Sequence, residues 1–346
     1  MSVMTRAAMS RRAVLGAIAT TPLWMQSAWA QPNKLKISHQ FPGGSIAQGD
    51  FRDRLCRMFA ADVERRTRGG LKFSIYPGST LMGPNAQFPA LRSGALDMAL
   101  VPLSYAGTEA PEANIGLMPG LVTSYQQGFA WKNAPVGREL TRILNEQGLV
   151  VVSWIWQAGG VASRGKPILH PEDVAGLKVR GGSHEMDRLL LDAGASVVNM
   201  PSNEIQAAMR AGTLDAALTS STSLISFRLQ DASRALTTAR GGAYWFMFEP
   251  LMMSRSVFDR LSKQQQAAVM AVGADLEAFA LKAARADDAA VASVFQATGA
   301  RVVDMNAEAL RKWQSIARTN AWREFGARNA NCAKLLELAE QSIAMI

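Results

Sequence analysis

The sequence predicts an α/β protein of two lobes, and three observations carry the prediction. Apolar strand patterns alternate with amphipathic helical stretches in the first third of the chain and again over residues 161–218, the signature of layered parallel sheets. Two long apolar strand patterns, residues 149–157 (LVVVSWIWQ) and 243–254, bracket the second set, as hinge strands between lobes would. A helical pattern capped by Ser262 runs over residues 263–296, longer than most globular helices and long enough to bridge two lobes.

The first thirty residues stand apart from this fold. Arg6, Arg11 and Arg12 come without any acidic residue, an apolar run follows over residues 13–25, and Ala28-Trp29-Ala30 gives a small-x-small cleavage site before Gln31; this is the layout of an export signal. Residues 10–15 (SRRAVL) resemble a twin-arginine signal, with Gly16 where lysine is common. The short run, Pro22 within it and the cleavage site speak against a membrane anchor. Cleavage leaves 316 of the 346 residues, comfortable for two α/β domains. The most apolar later stretch, residues 243–253, is too short to span a bilayer and carries Glu249 and Pro250, so a soluble, exported globular protein is expected.

In order, LKISH (35–39) reads as a strand, residues 50–68 as an amphipathic helix, and LKFSIY (71–76) as a strand ended by Pro77-Gly78. A helix after Pro84 ends near Gly94, LDMALV (96–101) is a buried strand, and helical patterning covers 125–147. Beyond the first long strand, Gly159-Gly160 leads into VASR, a turn at Pro171-Glu172-Asp173, GLKVR, a helix after Ser183, SVVNM, a helix after Pro201-Ser202, and LDAAL (214–218). A short strand at 301–304 and further helices close the chain. The expected lobes are residues 31–156 with 244–285, and 157–243 with 286–346.

The formal net charge is +9, three of it in the leader, and the remaining basic residues are dispersed. The tightest group, Arg65, Arg66 and Arg68, closes a predicted helix, where cations favour the dipole, so no nucleic-acid patch is expected. A mildly basic surface suits anionic small ligands. Cys56 and Cys332 match no metal spacing and read as two buried free thiols. His184-Glu185 fails as a zinc motif because Arg188 stands where the second histidine belongs. The chain has no G-x-S-x-G elbow, phosphate loop or dinucleotide fingerprint, which counts against a secreted α/β hydrolase. Asp287-Asp288 on the long helix reads as a solvated face.

One stretch organises the rest. In GLKVRGGSHEMDRLLL (176–191) a short strand runs into Arg180, then a Gly181-Gly182 turn, then Ser183 as N-cap of a helix carrying Met186, Leu189 and Leu190. Such a junction puts free backbone N–H groups and the positive end of a helix dipole beside a fixed guanidinium, which suits a carboxylate. A strand's carboxyl end is also where open α/β sheets collect ligands.

KLKISHQFP (34–42), Tyr76-Pro77-Gly78, SGALD (93–97), Pro135-Val136-Gly137, Pro171-Glu172-Asp173 with GLKVR (176–180), Gly194-Ala195 and GTLD (212–215) come in the order and spacing of the solute receptors of tripartite ATP-independent periplasmic (TRAP) transporters. The chain resembles that family over essentially its whole mature length. The resemblance implies the two-lobed periplasmic binding protein fold, closing on an organic acid, with a membrane permease as partner and Arg180 as the carboxylate-gripping arginine. The family's assisting asparagine falls on Thr219. The second arginine that sialic-acid receptors carry near Gly160 is missing, which favours a monocarboxylate. An aromatic usual after the next strand is replaced near Ser202, and the glutamate of sodium-dependent 2-oxo acid receptors is missing near Leu218, so no metal or cofactor is expected.

The expected ligand-binding set is Arg180, Thr219, Trp156, Tyr105, Gln40, Ser183, Trp245 and Ser202. Trp154 and Trp156 share one strand face and Trp245 and Met247 another, and one pair is a candidate cleft floor opposite Tyr105, with core packing as the alternative. Residues 219–223 (TSSTS) offer hydroxyls for a ligand or for capping the next helix. Glu249 is either a receiver of a ligand amine or hydroxyl, or part of a hinge pair. The competing functions are a receptor for an ATP-driven importer and, further off, the hydrolase.

Overall fold

Alternating side chains and the Gly or Pro that end each run set the strands. In the computed structural model, which describes residues 33–344, β1 (Asn33–Ser38) lies parallel to both β2 (Leu71–Tyr76) and β3 (Met98–Leu100). A first sheet is completed by β4 (Leu149–Ser153) and β11 (Leu251–Ser254), in the order β2-β1-β3-β11-β4. The second sheet holds β5 (Trp156–Ser163), β6 (Lys178–Arg180), β7 (Ser196–Val197), β8 (Ala216–Ser220), β9 (Ala235–Thr238) and β12 (Arg301–Asp304), in the order β12-β9-β5-β8-β6-β7. To it β10 (Phe246–Phe248) adds by pairing with β5.

Each long strand of the sequence is two strands. The run 149–157 breaks at Trp154-Ile155, between β4 of the first sheet and β5 of the second, and 243–254 breaks at Glu249-Pro250, between β10 and β11. Apolar patterning continues through both breaks because the connecting residues are buried, and Pro250 lacks the N–H a continuous ladder needs. Both breaks fall where the chain changes sheets.

The long helix is also two, Lys263–Asp275 and Glu277–Gln296, separated at Leu276. The second packs against the helices Phe51–Arg66 and Ser221–Ser226, one from each side of the molecule. Asp287 and Asp288 correct the reading of a solvated face. Thr222 donates to Asp287 at 2.7 Å and Tyr125 to Asp288 at 2.6 Å, so this helix is tied to segments on both sides. Burial raises both carboxyls, Asp288 to about 6. Cys56 and Cys332 are buried free thiols. The expected leader, residues 1–30, lies outside the described residues.

Candidate functional site

Arg180 is the last residue of β6, and its side chain is 2% exposed. Its Nη1 donates to the Leu218 carbonyl (2.8 Å), Nε to the Met200 carbonyl (3.1 Å) and Nη2 to the Tyr105 hydroxyl (3.2 Å). All three acceptors are neutral. Gly182, at φ +100, lies flat against the guanidinium, and a Cβ there would stand 2.6 Å from Nη1. Glycine is thus needed for its conformation and for the close approach.

The Tyr105 hydroxyl gathers three of the other expected residues. Besides Arg180 it accepts from Gln40 Nε2 (3.3 Å) and from the Ser202 backbone N–H (2.9 Å). Gln40 follows β1, and Tyr105 sits in the turn Leu103–Ala106 after β3, both at the first sheet. Arg180 and Ser202 belong to the second. One phenol therefore joins the two sides. A cavity of about 460 Å³ opens beside it, lined by Tyr105, Gly182, Ser183, Asn199 and Met200 among others.

Ser183 caps the helix His184–Asp192 by accepting from Met186 N–H at 3.0 Å, and it donates to the Leu117 carbonyl at 3.2 Å. Trp245 Nε1 donates to the Gly181 carbonyl at 3.0 Å, and its ring packs on Gly159, where no Cβ would fit. Thr219 pairs with Gly160 across β5 and β8, one residue beyond the carbonyl Arg180 holds.

Two expectations change. The N–H groups of Gly181 and Gly182 face the chain's own Asp187, buried on the following helix, so an internal acid occupies the turn expected to receive a ligand carboxylate. Burial pushes Asp187 up to about 6 against the opposing pull of Arg180. Trp156 stands in an aromatic cluster with Trp131, Phe246 and Phe248, at ring separations of 5.3, 6.1 and 5.2 Å. Strand period explains this. On the paired strands β5 and β10, Trp156, Ala158, Phe246 and Phe248 share one face, while Gln157, Gly159, Trp245, Met247 and Glu249 share the other. The second face is the one that reaches Gly181, next to Arg180 in sequence, so Trp245 and not Trp156 bonds that turn.

A second buried arginine was not anticipated. Arg52 is 0% exposed and holds Asp50 with Nε (2.9 Å) and Nη2 (2.6 Å), and Glu249 (3.3 Å) and Ser223 (3.0 Å) with Nη1. Its guanidinium lies 3.5 Å over the Phe41 ring, next in sequence to Gln40. Gln157 Nε2 also donates to Glu249. Burial drives Glu249 up to about 7 although Arg52 pulls it down. The sequence did hold a signal: Arg52 falls on the buried stripe Leu55, Cys56, Phe59 and Val63 of its helix, a charge at an apolar position. Ser220 caps the helix Ser221–Ser226 by accepting from Ser223 N–H at 3.1 Å.

The sequence profile of bacterial extracellular solute-binding protein family 7 (DctP) matches residues 46–329. A solute-binding protein of Albidiferax ferrireducens is 62% identical over 338 residues, covering 97% of this chain and 100% of its own. Among solved structures, a TRAP periplasmic solute binding protein from Rhodoferax ferrireducens with bound malonate superposes with a TM-score of 0.89 at 65% identity, over 90% of this chain and 98% of that one. Another, from a Sulfitobacter species with bound β-D-galacturonate, shares the fold with a TM-score of 0.80 at 21% identity, over 89% and 99%. The expected resemblance and two-lobed α/β fold thus hold, and the chain belongs to family 7 of the bacterial extracellular solute-binding proteins, the TRAP periplasmic solute-binding proteins.

Proposed function

We propose that this protein is exported, sheds residues 1–30, binds the carboxylate of a small organic acid between its two sheets and delivers it to a TRAP permease. It performs no chemistry on the solute. Arg180 grips the carboxylate, Tyr105, Gln40 and Ser202 hold that grip from both sides, Thr219 adds a hydroxyl, Trp245 walls the site, and Ser183 fixes the helix behind it. The observation that carries this reading is a fully enclosed guanidinium whose three acceptors are all neutral. A carboxylate entering a closing cleft loses its water, and a planar fork of parallel donors compensates for that loss.

Closure follows from differential affinity alone: the acid binds the closed arrangement more tightly because only there do the Tyr105 side and the Arg180 side meet. The lobe division drawn from the sequence is supported near Trp156 by the break between β4 and β5. At the return crossing the sheets change at Glu249-Pro250 and not at residue 244, since β10 pairs with β5 of the second sheet.

The test is calorimetry of the mature protein and Arg180→Ala against an organic-acid panel. Removing one partner of a desolvated charge pair costs roughly 2 to 5 kcal/mol, about 30-fold to several thousand-fold in affinity. Unchanged carboxylate affinity in the variant would sink the assignment.

A further inference from the structure

The second sheet carries basic side chains at both of its ends. Arg180 closes β6 at one of them. At the other, Leu177 precedes β6, Asp215 precedes β8, Arg234 precedes β9 and Ser163 ends β5, and a cavity of about 670 Å³ opens among them. Along β8 the stretch from Asp215 to Leu218, whose carbonyl Arg180 holds, covers about 10 Å at strand rise. The two ends are therefore separate places.

Four cations line this cavity: Arg164, Lys166, Arg210 and Arg234. The sheet fixes two of them, because the Arg164 N–H donates to the Asp215 carbonyl (2.9 Å) and the Arg234 N–H to the Ser163 carbonyl (2.8 Å). Arg164 Nη1 would stand 3.4 Å from a Cβ on Gly212, the left-handed cap of the helix Ile205–Ala211, and Arg210 lies in that helix's last turn. The negative end of the helix supports both. Among the described residues none of the four donates a side-chain hydrogen bond, and Lys166 and Arg234 form no ion pair; Arg164 and Arg210 reach Asp215 and Asp231 only at 3.7 Å. The acids of the lining are bonded more closely elsewhere. Asp173 accepts from the N–H groups of Leu169 (2.8 Å) and His170 (2.7 Å), Asp215 from that of Lys178 (2.9 Å), and Asp231 from Arg228 Nε (2.8 Å). Leu177 and the fully buried Met209 add apolar lining.

We infer that this cavity is a second anion site, remote from Arg180, and that it takes a phosphate group. Four cations around one cavity exceed what a single carboxylate needs and suit a group carrying two or three negative charges. The arginine fork matches phosphate oxygens in pairs, and Lys166 adds a point charge. A cavity of this size holds more than a bare ion, and its apolar lining accommodates the body that carries the phosphate, whether a soluble ester or a lipid headgroup. The site uses none of the residues assigned to the carboxylate grip and does not depend on that assignment.

Calorimetry of the mature protein with pyrophosphate and acetate as probes tests the inference, near neutral pH and at one low ionic strength, since salt screens exposed charges. Pyrophosphate is expected to bind at least about tenfold more tightly than acetate. The double variant Lys166→Gln/Arg234→Gln removes two exposed side chains that bond nothing among the described residues, so its melting temperature should stay unchanged while pyrophosphate affinity falls about tenfold or more. Should it not fold, the single charge reversal Lys166→Glu is expected to give the same loss. Arg180→Ala is expected to keep pyrophosphate affinity within about twofold.

No binding of pyrophosphate, binding no tighter than that of acetate, or unchanged affinity in the Lys166 and Arg234 variants overturns the inference. So does a loss in Arg180→Ala, which would put the anion in the cleft instead. Flotation with phosphatidylglycerol vesicles, against phosphatidylcholine vesicles as control, separates the two sources once pyrophosphate binds. Flotation that pyrophosphate displaces and the double variant lacks assigns the phosphate to a lipid headgroup; pyrophosphate binding without flotation assigns it to a soluble compound.

Discussion

Two arginines are buried between the two sides of this protein, and their surroundings differ in one respect. Arg52 meets two carboxylates, Asp50 and Glu249, within 3.3 Å. Arg180 meets two backbone carbonyls and a phenol. Both span the gap, Arg52 through Ser223 and Arg180 through Tyr105. A guanidinium matched by internal acids is a structural latch, and its loss leaves those acids stranded. One whose hydrogen bonds all go to neutral dipoles, with Asp187 acting on it only through space, keeps its donors less committed to internal charge. Burial alone does not separate the two roles; the charge of the partners does.

The largest effect should come from the latch. Arg52→Met leaves Asp50 and Glu249 buried without their cation, which costs about 3 to 5 kcal/mol, and the loss is read as a fall in melting temperature. Arg180→Met should lower the melting temperature by less than half as much while weakening carboxylate binding by about 2 to 5 kcal/mol in calorimetry. If the stability losses are equal, the contrast between the two sites is wrong.

Acidity sharpens the same comparison. Burial raises Glu249 to about 7 and Asp187 and Asp288 to about 6. A carboxyl raised in the folded state binds its proton more tightly there than in the unfolded chain. The resulting stabilisation is full below the unfolded values near 4 and is lost as pH rises through 6 to 7. The melting temperature should therefore fall between pH 5 and pH 8, with Glu249 contributing on the order of 3 kcal/mol. Glu249→Gln should flatten that slope, which thermal scans at several pH values will show.

Smaller effects follow at the Arg180 side. Tyr105→Phe removes the shared acceptor of Arg180, Gln40 and Ser202 and should weaken binding by about 1 to 3 kcal/mol, visible in calorimetry. Ser183→Ala removes an N-cap and should cost about 1 kcal/mol of stability, measured by denaturant titration, with a smaller change in affinity.

The arrangement around Arg180 was legible because its signals are local. A strand ending in arginine, two glycines and a capping serine specify Arg180 and Ser183 whatever the rest of the chain does. Thr219 and Gln40 came through the family resemblance. The role of Arg52 stayed hidden because a charged residue two positions past an N-cap reads as solvated, and only its place on the buried stripe of the helix contradicted that. Trp156 was misplaced for a related reason: the sequence gives period two but not which face of a strand looks inward. Asp187 filling the glycine turn was likewise invisible, since it needs the folded turn beneath its helix.

By itself the sequence determined the alternation of strands and helices and the arginine at a strand end, because each follows from neighbours within a few residues. Only the tertiary structure decided which arginine is hydrogen-bonded by acids, which tryptophan reaches the Gly181 turn, and where continuous apolar runs break. Those depend on groups that meet from positions up to 197 residues apart, as Arg52 and Glu249 do. Electrostatic pairing and strand facing are settled by what packs opposite, and no local pattern encodes that.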